Sequence, residues 1–219
     1  MNRLNRLAAP LAALILLFAV AACGGDTPPP EVVDGAEEAM TPSEPVQPED
    51  LEESPQDAFL ANLSALCGRA FRGEAELATS DDFDDEMIMH VRVCEEDEVQ
   101  IPLHVGEDRS RTWIITRTAE GLRLKHDHRH EDGSEDIGNT QYGGDTEVEG
   151  TPLHQSFPAD EFTAEMIPEA ETNVWNITLE PGERLIYHLT RHGAPRATFV
   201  FDLTDEVDPP PAPWGYEGT

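Results

Sequence analysis

The chain has 219 residues, 14 basic and 45 acidic, for a formal net charge of −31. Phosphate contacts need basic patches, so this balance argues against a nucleic-acid partner and against electrostatic attraction to an anionic membrane surface. Lys125 is the sole lysine, and an excess of acid keeps a protein soluble through self-repulsion.

In chain order, the first segment is MNRLNRLAAPLAALILLFAVAACGG. Arg3 and Arg6 make a positive start, and Leu7 to Val20 is apolar except for Pro10. The stretch is short for a membrane span, which needs about 20 residues, and it suits the apolar region of a signal peptide. Val20-Ala21-Ala22-Cys23 resembles the lipobox of bacterial lipoproteins. That resemblance implies cleavage after residue 22, acylation of Cys23 and a lipid anchor in the cell envelope, on the outer membrane if the host is Gram-negative. Acyl chains give stable anchoring at about 0.8 kcal/mol per buried CH2. The alternative is an ordinary secretory signal with an incidental cysteine.

Residues 24–53 carry six prolines, many Asp and Glu and no basic residue. Such a segment buries too little apolar surface to offset its ordering entropy, and it reads as an extended tether. Ser54 onward, roughly 165 residues, is expected to form one domain.

Ser54-Pro55-Gln56-Asp57 has the pattern of a helix start. Phe59, Leu60, Leu63, Leu66 and Cys67 then form one apolar stripe, with Gly68 as the stop. From there the period changes to two. Expected strands are Met87 to Val93, Val99 to Val105, Arg111 to Thr118, Leu122 to His130, Thr146 to Phe157, Asn173 to Glu180, Leu185 to Arg191 and Ala197 to Leu203. Pro102 suggests an edge or a bulge, Ala119-Glu120-Gly121 a hairpin turn, and Ala159 to Met166 a short helix. The fold class is mainly β, an antiparallel meander with one N-terminal helix. Such a sheet closes into a barrel or folds into a sandwich, and a small barrel loosely similar to lipocalin-like folds is expected. Pro209 to Pro213 reads as an extended strap that Trp214 pins.

Apart from Cys23, the cysteines are Cys67 and Cys94. In an oxidising compartment this pair most simply forms one disulfide, at about 3 kcal/mol for a loop of this size; two buried free thiols are the alternative.

The richest chemistry lies in Leu122-Arg123-Leu124-Lys125-His126-Asp127-His128-Arg129-His130. On a strand, Leu122, Leu124, His126, His128 and His130 share the inward face. Histidines two apart sit about 6.6 Å apart along the backbone and can converge on one Zn2+ or Cu2+, with a further ligand from His90, His104, His154 or His188. The same residues also suit a structural polar row paired with carboxylates or tyrosines, or a pH sensor whose acidic surroundings raise its pKa values. The acidic runs Asp81 to Glu86 and Glu95 to Glu98 lack EF-hand spacing and read as solvated turns. No nucleophile or zinc-protease motif occurs.

Three blocks, His104-Val105-Gly106 through Trp113, Gly121 through Gly133, and Pro210 through Gly215, resemble a family of uncharacterised bacterial exported proteins. The likeness covers most of the chain after the tether and carries no catalytic residues. Three functions stay open: a tethered module binding a metal or small ligand, a structural or interaction lipoprotein, and a metal-assisted hydrolase built on His126 and His128 with Asp127 or Glu131.

Overall fold

The computed structural model describes residues 53–217. The signal peptide, Cys23 and the tether up to residue 52 lie outside the described residues. The chain divides into two units, Met1–Val46 and Gln47–Thr219, and the described residues belong to the second.

Helix α1 spans Pro55–Ser64. The Ser54 hydroxyl accepts from the Asp57 amide at 3.0 Å, Pro55 fills the first helical position, and Phe59, Leu60 and Leu63 are buried. The helix stops before Gly68 because turns take over at Ala65. Gly68 turns the chain at φ 80°, and its amide bonds to the Val91 carbonyl. Cys67 and Cys94 form a disulfide, with Cα atoms 6.1 Å apart.

Eleven strands follow: β1 Ala70–Ala78, β2 Met87–His90, β3 Val93–Cys94, β4 Glu98–Val105, β5 Asp108–Thr118, β6 Gly121–His128, β7 Tyr142–Asp145, β8 His154–Pro158, β9 Asn173–Glu180, β10 Arg184–Arg191 and β11 Ala194–Val207. All pairings are antiparallel, in the order β7-β6-β5-β4-β2-β1-β11-β10-β9-β8, with β3 beside β4. The two ends of this sheet, β7 and β8, approach one another, so the sheet is nearly closed into a barrel. A short helix, α2 (Glu161–Met166), completes the seam. The Asp160 amide donates to the Gly143 carbonyl at 3.0 Å. The buried Thr163 hydroxyl accepts from the Gly143 amide at 2.7 Å and donates to its carbonyl at 2.8 Å. One side chain thereby pairs the Gly143 backbone at an edge that a sheet otherwise leaves open.

Strand β1 is unforeseen in the sequence. Its AFRGEAELA run lacks β-branched residues and so gives little local signal. Gly73 explains part of that composition: a Cβ there would collide with the Phe201 ring and the Val200 carbonyl. Of the expected strand Thr146 to Phe157 only the end from His154 is strand, in β8; residues 146–153 form a loop, and β7, which precedes them, was not expected. Pro102 is on neither an edge nor a bulge of its own. It sits within β4, where the neighbouring ladder breaks between the Met89–Leu103 pair of β2 and the Val93–Gln100 pair of β3.

Inward residues of every long strand, among them Ile101, Trp113, Leu124, Ile177 and Phe201, form one core that α1 joins with Phe59, Leu60 and Leu63. Helix α1 packs near the ends of β4, β5 and β8. Its Gln56 amide bonds to Thr146 at 3.0 Å, and its Asp57 pairs with Arg117. One end of the barrel is thus plugged.

The C-terminal strap runs along the outer face of β5 and β6. The Trp214 amide donates to the Arg109 carbonyl at 3.1 Å, and Arg109 Nη1 donates to the Ala212 carbonyl at 3.0 Å. The Tyr216 hydroxyl donates to Asp127 at 3.1 Å. Trp214 was expected to pin the strap; its backbone does so, together with the Ala212 carbonyl and the Tyr216 phenol.

Candidate functional site: the open mouth of the barrel

The barrel end opposite α1 gathers the last residues of β1, β6 and β10 and the first residues of β7, β9 and β11. Here the inward positions turn aromatic and polar. Trp113 stacks on Tyr187 with ring centroids 4.5 Å apart, Tyr187 stacks on Phe199 at 5.4 Å, and Phe199 meets Phe83 at 4.6 Å. Trp175 lies against Tyr142 at 5.8 Å and against His126 at 5.3 Å. An aromatic column therefore runs from the core to the rim. Phe83, on the short turn Asp81–Phe83, lines the cavity at this end, with the Arg111 guanidinium 5.2 Å from its ring centroid.

His126 and His128 join this interior, on the inward face that holds Leu122 and Leu124. His126 stacks on Tyr142 at 4.4 Å. Its Nδ1 lies 3.1 Å from the Tyr142 carbonyl and its Nε2 3.0 Å from the Tyr187 hydroxyl. A carbonyl only accepts, so Nδ1 carries the proton and Nε2 accepts from the Tyr187 O–H. Burial, reinforced by His128, pushes the His126 pKa down to about 3 and keeps the ring neutral. For His128, burial and then Arg111 push the pKa down to about 4. The Asn139 amide donates to its Nδ1 at 3.2 Å. Its Nε2–H then donates to the Tyr142 hydroxyl at 3.2 Å. That leaves the Tyr142 phenol proton free to point into the mouth, and burial raises its pKa to about 12, so the proton stays.

The expected metal set His126, His128 and His130 is not brought together. His130 lies beyond β6 and is exposed. The one lone pair of His126 faces a hydroxyl that fills it. Among the described residues no group of three His, Cys, Asp or Glu side chains is placed to hold a metal ion. His90 and His104 are buried and do not line the mouth, His154 bonds to Thr178, and His188 bonds to Thr198. The expectation that nearby acids raise the histidine pKa values is overturned, because burial outweighs them.

Asp127 is also inert toward the mouth. It points outward, is 1% exposed, and is held by Arg129 at 2.9 Å, Tyr216 at 3.1 Å and Gln141 at 3.2 Å. It anchors the strap. Glu131 is exposed on the turn after β6, so neither acid meets the histidines as a hydrolase would need.

A cavity of about 300 Å3 opens between these aromatics, at the small end of ligand-pocket sizes. Trp175, Tyr187 and Phe199 form its wall, and Tyr142, Asn139, Arg191 and Arg196 bring polar groups to it. It is not legible in the sequence, because the lining comes from four strands, β7, β9, β10 and β11, and three connecting segments far apart in the chain. The one available signal was aromatic residues at inward positions of β9, β10 and β11. The chain has no significant match among family models, curated proteins or solved structures.

Proposed function

We propose that this is a lipid-anchored protein of the bacterial envelope that binds a small organic molecule in the mouth of its barrel. The observation that carries this reading is the mouth itself: one end of the barrel is plugged by α1, while the other holds a cavity with an aromatic wall and a few converging polar groups. That combination is the usual makeup of a small-molecule site. Export and anchoring are supported by the signal-like start and Cys23, and by the Cys67–Cys94 disulfide, which suits an oxidising compartment. A small organic ligand is favoured over a metal because both nitrogens of His126 and of His128 are already hydrogen-bonded within the protein.

The test is native mass spectrometry of the full chain extracted from its own membranes. One small molecule per chain is expected, and it is expected to be missing from Ala197→Trp, which fills the mouth. Bare protein in both samples, or a bound molecule retained by Ala197→Trp, contradicts the reading.

A further inference from the structure

The mouth is an exception to the electrostatics of the molecule. The chain carries 45 acidic residues against 14 basic ones, and arginine ion pairs run over the rest of the surface, from Arg69–Glu206 to Arg184–Glu180. No Asp or Glu lines the mouth cavity, yet two arginines do. Arg191 donates to the neutral Asn173 side chain at 2.8 Å. Arg196, half-buried, has neither an ion pair nor a hydrogen bond among the described residues. The acidic run that begins at Asp81 borders a neighbouring groove along β1, which meets the mouth at Ser80 and Phe83. In a chain so rich in carboxylates, a guanidinium with no carboxylate partner beside an aromatic cavity is available to an anion from outside. A guanidinium is also the side chain best shaped for a planar oxyanion, which it grips with two parallel N–H bonds. The Tyr142 hydroxyl adds a neutral donor, since its oxygen already accepts from His128.

Resting on the mouth as the ligand site, we propose that it takes a small aromatic carboxylate. The ring lies against the wall of Trp175, Tyr187 and Phe199, and the carboxylate meets Arg196, with Arg191 and the Tyr142 hydroxyl beside it. Stacked or edge-on rings favour an aromatic body over an aliphatic one. The cavity volume restricts that body to one or two rings. The net negative charge of the protein does not forbid an anion, because at physiological ionic strength screening acts over about 8 Å and the nearest charges decide.

The probes are 1-naphthoate and its neutral isostere 1-naphthylmethanol, titrated calorimetrically into the full chain in detergent, with protein-free micelles as the blank. The carboxylate is expected to bind about tenfold more tightly or better, the gain of one charge-assisted contact. Arg196→Gln is expected to bring naphthoate down to the alcohol's level on the unchanged protein. Its melting curve, matched to the unchanged chain, separates this loss from misfolding. A Tyr142→Phe chain gives a smaller loss of naphthoate affinity. Equal binding of both probes, or naphthoate binding indifferent to Arg196→Gln, overturns the anion proposal while leaving the mouth as a ligand site. Binding of neither probe, or undiminished binding to Ala197→Trp, overturns both readings.

Discussion

His126 illustrates how a residue's chemistry is set by its neighbours. As a strand histidine with an accessible nitrogen it would be a metal ligand or a pH sensor. Seated between Tyr142, Trp175 and Tyr187, with both nitrogens bonded, it is a neutral connector that fixes the tyrosines of the mouth. Its pKa and that of His128 lie well below the usual value near 6.5. The unfolded chain therefore binds more protons than the folded one as the pH falls below 6.5. Stability from this source is complete above pH 6.5 and is lost as the pH drops towards 4, at about 1.4 kcal/mol per pH unit for each of the two rings. Denaturant titrations at pH 7 and pH 5 are expected to show this fall, and a His126→Phe/His128→Phe chain is expected to show much less of it. Stability that is level across that window would contradict the account of the two rings. Added Zn2+ is expected to leave the melting temperature unchanged; a rise abolished by His128→Ala would restore the metal reading.

At the scale of elements, closure of the sheet rests on a few substitutable contacts. Thr163→Val keeps the shape of the side chain but leaves the buried Gly143 amide without its acceptor. The expected loss is about 1–3 kcal/mol of unfolding free energy, read by urea denaturation, with the fold otherwise kept. The disulfide closes a sequence separation of 27 residues, so Cys67→Ser/Cys94→Ser is expected to cost about 3–4 kcal/mol. An unchanged midpoint in either experiment would show that the seam or the staple matters less than its placement implies. These elements were unequally legible in the sequence. α1, β9 and β10 were readable because capping chemistry, alternation and the Pro181-Gly182 turn agree with one another. β1 was not, since Gly73 answers to Phe201 across the sheet and not to local propensity. Strand β7 was missed for a similar reason. At Gly143, φ is 151° and a Cβ would strike the Leu124 carbonyl, so the strand's closeness to β6 shows only once the barrel exists.

For the whole molecule, the barrel has one end packed shut by a helix and the other finished in aromatics and unpaired arginine. The inward histidine row was legible from alternation alone, and it points into this end. The cavity was not legible, because Trp175, Tyr187, Phe199 and Arg196 come together only through the pairing of β9, β10 and β11. The acidic tether and Cys23 expected from the sequence would hold such a mouth within the envelope at a distance from the lipid surface. Lipid labelling tests that expectation separately: Cys23→Ala is expected to release the protein from the membrane fraction, and label retained on the variant would contradict it. The binding mouth is the central feature of this protein. Its most direct test is a 1H–15N NMR titration of the full chain with 1-naphthoate, following the indole N–H signals. The account predicts that the Trp175 signal shifts in a saturable way while that of Trp214, on the outer strap, stays fixed. A stationary Trp175 signal, or a shift centred on Trp214, would contradict it.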